Sequence, residues 1–398
     1  MNCCVYFLAK GVIVNFVNTR KGFRYLGGRI RRGPSQVAYI GSSNTAMKNG
    51  WRGDIQAWFN EKFPCDGGHI EINSSLGGVG SITGVFLAKE KLQNKKPDLA
   101  FIEFSCIDLS GTTPIDMVSQ SVEALIRISR SANPDCDICF MYFFSPRSGE
   151  HVKGRLTRVE EIYEKIADHY GIPSINVAKF VVSLVNSGEM SLSGENGKPA
   201  IFRQDMVHPT VEGSKKISDF IKSSLLDIIE ADNIGSNCFQ MPEPINADNL
   251  KDWKICYIKE RMLTGKYIKT EKTFGNMDKP VEYFSLSPGA RLSFKVKGRL
   301  LGLYVIIGPD SGIIKCDLSG SIVIKKLFDR YCHFTRAWGY IISSKIDGAK
   351  YLDGQEVIIE LLNHIPDGDK YSNPFPAKKP SEWKLDIIGL FVIGDVIE

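Results

Sequence analysis

Two distant points of the chain carry residues that together suggest chemistry. An apolar run ends at Gly41-Ser42-Ser43, which places a hydroxyl group directly after a predicted strand. Far downstream, Asp205 precedes His208 by three residues. At that spacing the carboxylate can fold back on one imidazole nitrogen and leave the other free to take a proton from a serine. The combination predicts nucleophilic catalysis by an activated serine.

The elements that must position these residues alternate between short apolar runs and amphipathic segments over residues 36–230. Strands separated by helices of ten or more residues need crossover connections, so the pattern predicts a parallel sheet with helices on both faces. Ligands bind beyond the carboxyl ends of the strands in such a sheet, where Ser43 is expected. The predicted strands are Gln36–Gly41, His69–Asn73, Asp98–Phe104, Asp137–Phe144 and Pro173–Val177, and the predicted helices are Trp51–Phe63, Ser81–Gln93, Pro114–Ser131, Val152–Tyr170 and Pro209–Glu230.

The character of the chain changes after residue 230. Residues 231–252 are polar and contain several Asn, Asp and Pro, which predicts a linker. Over residues 253–398 short β-rich runs alternate with turn clusters, which predicts a β-sandwich or jelly roll. Five aromatic residues here have two interpretations of equal weight, stacking on sugar rings or filling the core. They are Trp253, Tyr331, Trp338, Tyr340 and Trp383.

The order and spacing of these blocks resemble the SGNH/GDSL hydrolase family over residues 36–230. Gly41-Ser42-Ser43 resembles the family's Gly-Asp-Ser, with Ser42 in place of Asp, and residues 73–78 resemble its second block. Asp205 and His208 match the last block. The resemblance implies a flavodoxin-like catalytic domain with Ser43 as nucleophile, His208 as general base and Asp205 as its partner. It also implies an oxyanion hole built from the backbone N–H groups of Ser43 and Gly78.

The third block of the family, Gly-x-Asn-Asp, is altered in this chain. Ile107 stands where the family has Asn, in the segment 103–108. Ile has no side-chain donor, and loss of one oxyanion-hole donor typically lowers a rate by ~10²- to 10³-fold. Asn44 and Asn73 are the first candidates to replace that donor and to bind substrate.

The resemblance implies an enzyme that needs no metal or organic cofactor. Its expected function is hydrolysis of O-acyl esters, above all O-acetyl esters, on a glycan or a glycan precursor. Two alternatives remain: an O-acetyltransferase of cell-surface polysaccharide biosynthesis that uses the same triad, and a catalytically silent glycan-binding protein, which the altered third block favours. Residues 253–398 resemble the carbohydrate-binding modules that are often joined to esterases of this family.

Charge sets expectations about partners. The net charge is +5, but residues 1–35 hold seven Lys and Arg and no acid, which leaves −2 for the remainder. A near-neutral body argues against a nucleic-acid-binding surface, because such a surface needs Lys and Arg spread over the fold. The basic N-terminal arm is interpreted as a solvated tail, with contact to anionic lipid or to a partner as the alternative.

Cysteines and apolar stretches set expectations about location. The ten cysteines are scattered and read as reduced thiols of an intracellular protein. Cys136 and Cys139 have no second pair or His cluster at zinc spacing, so no metal site is predicted. The apolar stretch Cys3–Val17 is interrupted by Lys10 and Asn15 and is too short to span a bilayer. We therefore expect a cytoplasmic protein, with peripheral membrane contact through the basic arm as the alternative.

Overall fold

The structure is a computed structural model, and the chain divides into two compact units, Met1–Asp248 and Asn249–Glu398. Within the described part of the chain, no helix is long and apolar enough to cross a membrane. The structure describes residues 6–9, 12–146, 148–230, 240–246, 252–274, 277, 279–329, 331–342, 352–366 and 378–397, with side chains from residue 15 onward.

The first unit is built on a six-stranded sheet. Its strands are β3 (Val17–Asn18), β4 (Gln36–Gly41), β5 (Ile70–Ser75), β6 (Leu99–Glu103), β7 (Asp137–Tyr142) and β8 (Ser174–Asn176). The strand order is β3-β8-β7-β6-β4-β5, and all neighbours are parallel except β3, which runs antiparallel to β8. A separate pair, β1 (Tyr6–Ala9) and β2 (Val12–Asn15), precedes the sheet. The predicted parallel α/β sheet is confirmed.

Ten α-helical segments accompany these strands in the described residues. They are α1 (Leu26–Ile30), α2 (Ser43–Ala46), α3 (Trp51–Lys62), α4 (Ser81–Lys91), α5 (Ser105–Asp108), α6 (Ile115–Ala132), α7 (Gly149–Val152), α8 (Arg158–Tyr170), α9 (Val177–Asn186) and α10 (Val211–Glu230). Alternate strand residues such as Tyr39 and Phe101 pack in one core cluster with side chains of α3, α9 and α10. Their neighbours Ile40 and Ile102 are also fully buried, as expected for a sheet covered on both faces.

One helix prediction and one strand prediction differ from the structure. The predicted helix Val152–Tyr170 is wrong over its first turns, because α8 starts only at Arg158, where Thr157 and Glu160 form a capping box. The predicted strand Pro173–Val177 is too long at its end, because Val177 is already the first residue of α9. This helix follows β8 directly, with Asn176 as its N-cap. In both places the cap residues were visible in the sequence, but continuous apolar periodicity masked them.

The segment from Asn15 to Ser35 belongs to the first unit. Its phenylalanines are at most 2% exposed. Arg20 forms ion pairs with Glu164 and Asp168 of α8, both at 2.7 Å. Its basic charges are thus partly neutralised within the fold, which corrects the predicted solvated arm over residues 1–35 for the side chains that the structure describes.

Residues 240–246, which were predicted to be part of a linker, also lie on the first unit. The carboxylate of Glu123, on α6, accepts hydrogen bonds from the N–H groups of Ile245 at 2.6 Å and Asn246 at 2.7 Å. These bonds hold the segment on the helix, which corrects the linker predicted over 231–252 at these positions. Its other positions up to residue 251 lie outside the described residues.

The second unit is an all-β domain with antiparallel strands. They are β9 (Trp253–Tyr257), β10 (Leu263–Thr264), β11 (Tyr267–Lys272), β12 (Val281–Leu286), β13 (Arg291–Ile307), β14 (Ile313–Leu318), β15 (Ser321–Lys326), β16 (Arg336–Ile341), β17 (Leu352–Leu361) and β18 (Leu385–Ile397). All ten belong to one hydrogen-bonded sheet, in which β13 pairs with β10, β16, β17 and β18. The predicted β-rich half is confirmed as an antiparallel β domain, while the sandwich or jelly-roll arrangement stays a prediction.

The aromatic residues of this domain separate into two groups. Trp253 and Trp383 are 0% and 2% exposed, so they fill the interior and cannot stack on a sugar ring. Trp338 and Tyr340 lie half-buried on β16 with their rings edge to face, 5.2 Å between centroids. Tyr331 is also half-buried. The sugar-stacking interpretation is therefore corrected for the first two and stays a prediction for the other three.

Candidate active site

Ser43 is the first residue of α2 and follows the carboxyl end of β4 after one intervening residue, Ser42. The chain turns sharply there because Gly41 carries no side chain: a Cβ at that position would overlap the Thr45 side chain and come within 2.9 Å of the Glu103 carbonyl oxygen. The backbone N–H of Ser43 donates no hydrogen bond to any group in the described part of the structure. A free N–H at the start of a helix is a donor for an anionic oxygen.

Ser42 differs from Ser43 in burial and in the use of its backbone N–H. Its side chain is buried, and its Oγ has no hydrogen-bond partner in the described structure. Its N–H donates to the carbonyl oxygen of Glu103 at 3.1 Å, which fixes the backbone at the end of β6. Ser43 is half-buried and lies next to this anchor. The arrangement supports Ser43 as the nucleophile and gives Ser42 a backbone role.

The glycine-rich loop after β5 runs beside the nucleophile. The N–H of Leu76 donates to the carbonyl oxygen of Gly41 at 3.1 Å. A Cβ at Gly77 would lie 3.7 Å from the Cβ of Ser43, which places this loop residue beside the nucleophile. Gly78 has a φ of +78°, which glycine adopts without strain. From the sequence, only Gly78 of this pair is named as an oxyanion-hole residue. The Gly77-Gly78 pair in the sequence is the feature that could have drawn attention to Gly77 as well.

The two candidate asparagines have different surroundings. The Oδ1 atom of Asn73 accepts hydrogen bonds from the N–H of Ser75 at 3.0 Å and from its hydroxyl at 2.5 Å, so this side chain shapes the end of β5. Asn44, on α2, is buried, and its Oδ1 has no partner in the described structure. Asn44 therefore keeps an unused polar atom next to Ser43, whereas the Asn73 oxygen is already occupied.

Asp205 and His208 are in direct contact. The Nδ1–H of His208 donates to Asp205 Oδ2 at 2.7 Å, and the second carboxylate oxygen accepts the N–H groups of Val207 and His208, both at 2.9 Å. This leaves His208 Nε2 with no partner among the described residues. The imidazole is thus held in the tautomer that can accept a proton from a serine.

The electrostatics of this pair favour an ionised Asp205. Partial burial acts to raise the pKa of the carboxyl, but the hydrogen bonds from the His208 N–H, the imidazole and the Val207 N–H outweigh it and hold that pKa below its ordinary value. The side chains of His208 and Asp205 are 26% and 31% exposed, so a substrate can reach them. At neutral pH a carboxylate therefore orients an accessible imidazole.

A series of contacts places the loop of His208 at the same edge of the sheet as Ser43. Phe202, which precedes this loop, stacks on Phe144 with 5.4 Å between ring centroids. Phe144 follows β7, and its carbonyl oxygen accepts the thiol of Cys106 at 3.4 Å. Cys106 lies on α5, directly after β6, and the last residue of β6 binds the Ser43 turn. All three predicted catalytic residues thus lie at the carboxyl edge of the parallel strands.

The loop of His208 is fastened to the start of α10. Thr210 Oγ1 donates to the carbonyl oxygen of Ala200 at 2.6 Å and accepts the N–H of Gly213 at 3.0 Å. Gly213 lies so close to Ile201 that a Cβ would overlap the Ile201 carbonyl oxygen and lie 2.8 Å from its carbon. The absence of a side chain at Gly213 lets the helix meet the loop.

Replacing Gly213 with Ala is expected to destabilise the protein, although Ala normally favours a helix over Gly by up to ~1 kcal/mol. Overpacking of this kind typically lowers the free energy of unfolding by ~1–3 kcal/mol. Urea unfolding measures the effect. Gly33→Ala is the matched control, because a Cβ at Gly33 meets nothing within 4 Å. A Gly213→Ala protein as stable as the parent would contradict the close packing of α10 against Ile201.

Two residues of the altered third block, Asp108 and Ile107, have different roles in the structure. Asp108 is buried and accepts hydrogen bonds from the N–H of Ser81 at 2.8 Å and from the Thr113 hydroxyl at 2.6 Å, so it holds the start of α4 behind the glycine loop. Burial raises the pKa of Asp108. Ile107 is half-buried on α5, and its N–H donates to the Phe104 carbonyl oxygen at 3.0 Å. The structure thus explains the aspartate of the block and leaves the donor missing at Ile107.

Comparison with known proteins identifies the first unit. Residues 39–216 match the model of the GDSL-like lipase/acylhydrolase family. The chain contains a GDSL-like lipase/acylhydrolase domain. The match includes Ser43, Asp205 and His208, and the family resemblance found in the sequence is confirmed. None of the curated proteins matches the chain.

The GDSL-like domain and the β domain together have a counterpart among solved structures. A two-domain esterase (CEX) active on acetylated mannans is 15% identical, with a TM-score of 0.72 over 95% of this chain and 98% of the other. A second structure of such an esterase, co-crystallised with mannopentaose, is 16% identical, with a TM-score of 0.70 over 96% of this chain and 98% of the other. At this identity the likeness establishes the two-domain fold.

Proposed function

We propose that the protein is a serine esterase that removes O-acetyl groups from a glycan. The observation that carries this proposal is the 2.7 Å contact of His208 Nδ1 with Asp205, which leaves Nε2 open at the edge of the sheet where Ser43 lies. The glycan part rests on the shared two-domain fold, since the two-domain esterase whose structures match this chain is active on acetylated mannans.

The proposed reaction has two halves. His208 Nε2 takes the proton of the Ser43 hydroxyl while Oγ attacks the acetyl carbonyl carbon, and the carbonyl oxygen becomes an oxyanion. Collapse of this intermediate breaks the bond to the sugar oxygen, which leaves with the proton from His208. Water then attacks the acetyl-serine, giving its proton to His208, and collapse returns that proton to Ser43 Oγ and releases acetate.

The oxyanion in this scheme is held by backbone donors. The first is the N–H of Ser43, which is unused within the described structure. The second comes from the adjoining glycine loop, where Gly78 is the residue that the sequence predicts and Gly77 is the residue beside Ser43. Donors fixed in the backbone need no reorganisation when charge develops, which is the main source of their effect.

Three assays separate the candidate functions. The protein is incubated with an acetyl-ester dye, with acetylated mannan, and with acetylated mannan plus a deacetylated mannan acceptor, and free acetate and acceptor acetylation are measured. An esterase releases acetate from the polymer whether or not the acceptor is present. Acetyl transfer to the acceptor would favour an O-acetyltransferase. Binding to mannan with no reaction in any assay would favour a silent glycan-binding protein.

Ile107→Asn tests whether the oxyanion hole is incomplete. If the missing donor limits the rate, the substitution should raise kcat, with a ceiling of ~10²- to 10³-fold for an ideally placed amide. Because Ile107 is only half-buried, we expect at most ~1–3 kcal/mol of lost stability, and rates are normalised to folded protein. Leu109→Asn makes the same chemical change two residues away and serves as control. A folded Ile107→Asn protein no faster than its parent would indicate that another group, with Asn44 first to be tested, already supplies the donor.

A further inference from the structure

A buried carboxyl group lies directly beneath the Ser43 turn. Glu103 is the last residue of β6 and is 1% exposed. Its Oε2 accepts a hydrogen bond from the Thr45 hydroxyl at 2.7 Å and a second from the N–H of Ser42 at 3.2 Å. The N–H of Ser42 also reaches the Glu103 carbonyl oxygen at 3.1 Å. One side chain therefore binds the chain on both sides of Ser43.

The bonds of Glu103 fix the two residues that determine where Ser43 points. Ser42 is the N-cap of α2, and Thr45 is fully buried in its only turn. A four-residue helix has little stability of its own, because nucleation of a helix is unfavourable and few internal hydrogen bonds repay it. The orientation of α2, and with it the direction of the Ser43 hydroxyl, depends on anchors outside the helix. Glu103 binds Ser42 and the Thr45 hydroxyl, and the Arg52 guanidinium donates to the carbonyl oxygen of Thr45 at 2.8 Å.

We propose that Glu103 is a positioning residue for the Ser43 nucleophile and that its carboxyl group acts in the neutral form. This inference rests on the proposed esterase function. In the neutral form Oε2 is a carbonyl oxygen that accepts both bonds, and the proton resides on Oε1. An ionised Glu103 would place a negative charge one peptide away from the Ser43 N–H that receives the oxyanion, and like charges raise the free energy of that state.

The surroundings of Glu103 favour the neutral form. Burial raises the pKa of its carboxyl to about 8, against the lowering effect of the bonds from Thr45 and Ser42, and the charge of nearby Asp108 raises it further. The titratable groups that face it are Asp108, on α5, and Tyr163, on α8, whose hydroxyl donates to Asp108 at 3.0 Å. Neither is a cation. Arg52, on α3, donates to the Thr45 carbonyl oxygen at 2.8 Å and pairs with Glu71, and no ion pair with Glu103 occurs in the described structure.

The pH dependence of kcat on an acetyl-ester dye tests this role. In the parent, kcat should fall about tenfold as Glu103 ionises above about pH 8. Glu103→Gln keeps an acceptor oxygen and cannot ionise, so its kcat should stay within about threefold of the parent's maximum and lose the alkaline fall. Glu103→Met removes both acceptors, so kcat should fall at least about tenfold at every pH while KM changes less than about twofold. Glu123→Gln, outside the Ser43 turn, is the control and should keep the parent's profile.

Two further measurements do not depend on turnover. Hydrogen exchange at residues 41–47 should be faster in Glu103→Met and unchanged in Glu103→Gln. The stability that neutral Glu103 contributes is complete below its unfolded pKa of 4.5 and is lost as pH rises through about 8, so Glu103→Gln should become progressively more stable than the parent across that interval.

The outcomes separate this inference from the proposed function. An alkaline fall that survives in Glu103→Gln would overturn the neutral form of Glu103, and full kcat in Glu103→Met would overturn the positioning role, while the parent remains an esterase in both cases. If the parent hydrolyses no ester, the proposed function fails, and the exchange and stability measurements decide by themselves whether Glu103 holds the turn. Unchanged exchange in Glu103→Met would overturn the inference in either case.

Discussion

Ser43→Ala should abolish ester turnover, with a fall in kcat of at least ~10⁴-fold. Removing the nucleophile of a serine–histidine pair leaves only the catalysis that the oxyanion hole and binding provide, because the members of a triad act as a unit. KM for the acetyl-ester dye should change little, since the serine contributes to the transition state and hardly to binding. Steady-state kinetics with protein free of contaminating esterase measures the effect.

The neighbouring serine supplies the control for this experiment. Ser42→Ala removes a buried hydroxyl that has no hydrogen-bond partner in the described structure and keeps the N–H that bonds to Glu103. We expect it to retain at least roughly a tenth of the parental kcat. Ester turnover that survives in Ser43→Ala, or that is lost in Ser42→Ala with Ser43 intact, would end the assignment of Ser43 as nucleophile.

Asp205→Asn should lower kcat by ~10²- to 10⁴-fold through the tautomer of His208. In the parent, one carboxylate oxygen accepts two backbone N–H groups and the other accepts Nδ1–H. Asn can keep the backbone bonds only with its oxygen, which turns its NH₂ group toward Nδ1. That nitrogen must then accept, the ring proton moves to Nε2, and His208 can no longer take the proton of Ser43.

Asp205→Ala distinguishes this mechanism from a loss of structure. Ala removes the backbone bonds as well but imposes no tautomer, so a folded Asp205→Ala protein should be at least as active as Asp205→Asn. Thermal unfolding of both variants gives the structural contribution. An Asp205→Asn protein within about threefold of the parent would contradict the orienting role of Asp205.

The α/β half could be predicted from sequence because its strands are apolar throughout and each is followed by an amphipathic helix. The β half was harder to delimit. Leu292–Val296 and Leu301–Ile307 read as two strands, yet β13 runs unbroken from Arg291 to Ile307 and shifts register twice against β18. Glycines within a long bulged strand look like turns when only the sequence is available.

The candidate site shows a similar division. Ser43, Asp205 and His208 can be proposed from the sequence because a local motif marks each of them. The residues that hold them were not, since Glu103 and Asp108 act across the sheet on partners that lie 58 to 61 and 27 residues away in sequence, respectively. From sequence alone, an acidic residue at the end of a strand indicates only that the apolar run has ended. Its role becomes visible when the hydrogen bonds that it accepts are known.

The segment 240–246 determines where a separately produced catalytic fragment must end. Glu123 is buried, and its carboxylate accepts four hydrogen bonds. The donors are the backbone N–H groups of Ile245 and Asn246, the side-chain amide of Asn246 and the Tyr170 hydroxyl. A fragment that stops at Glu230 would lose three of these donors, and a hydrogen bond to a charged group typically contributes ~1.5–3 kcal/mol to stability. A polypeptide that extends through Asn246 retains these donors. Domain dissection of this protein should therefore cut after the segment, although composition alone places the boundary sixteen residues earlier.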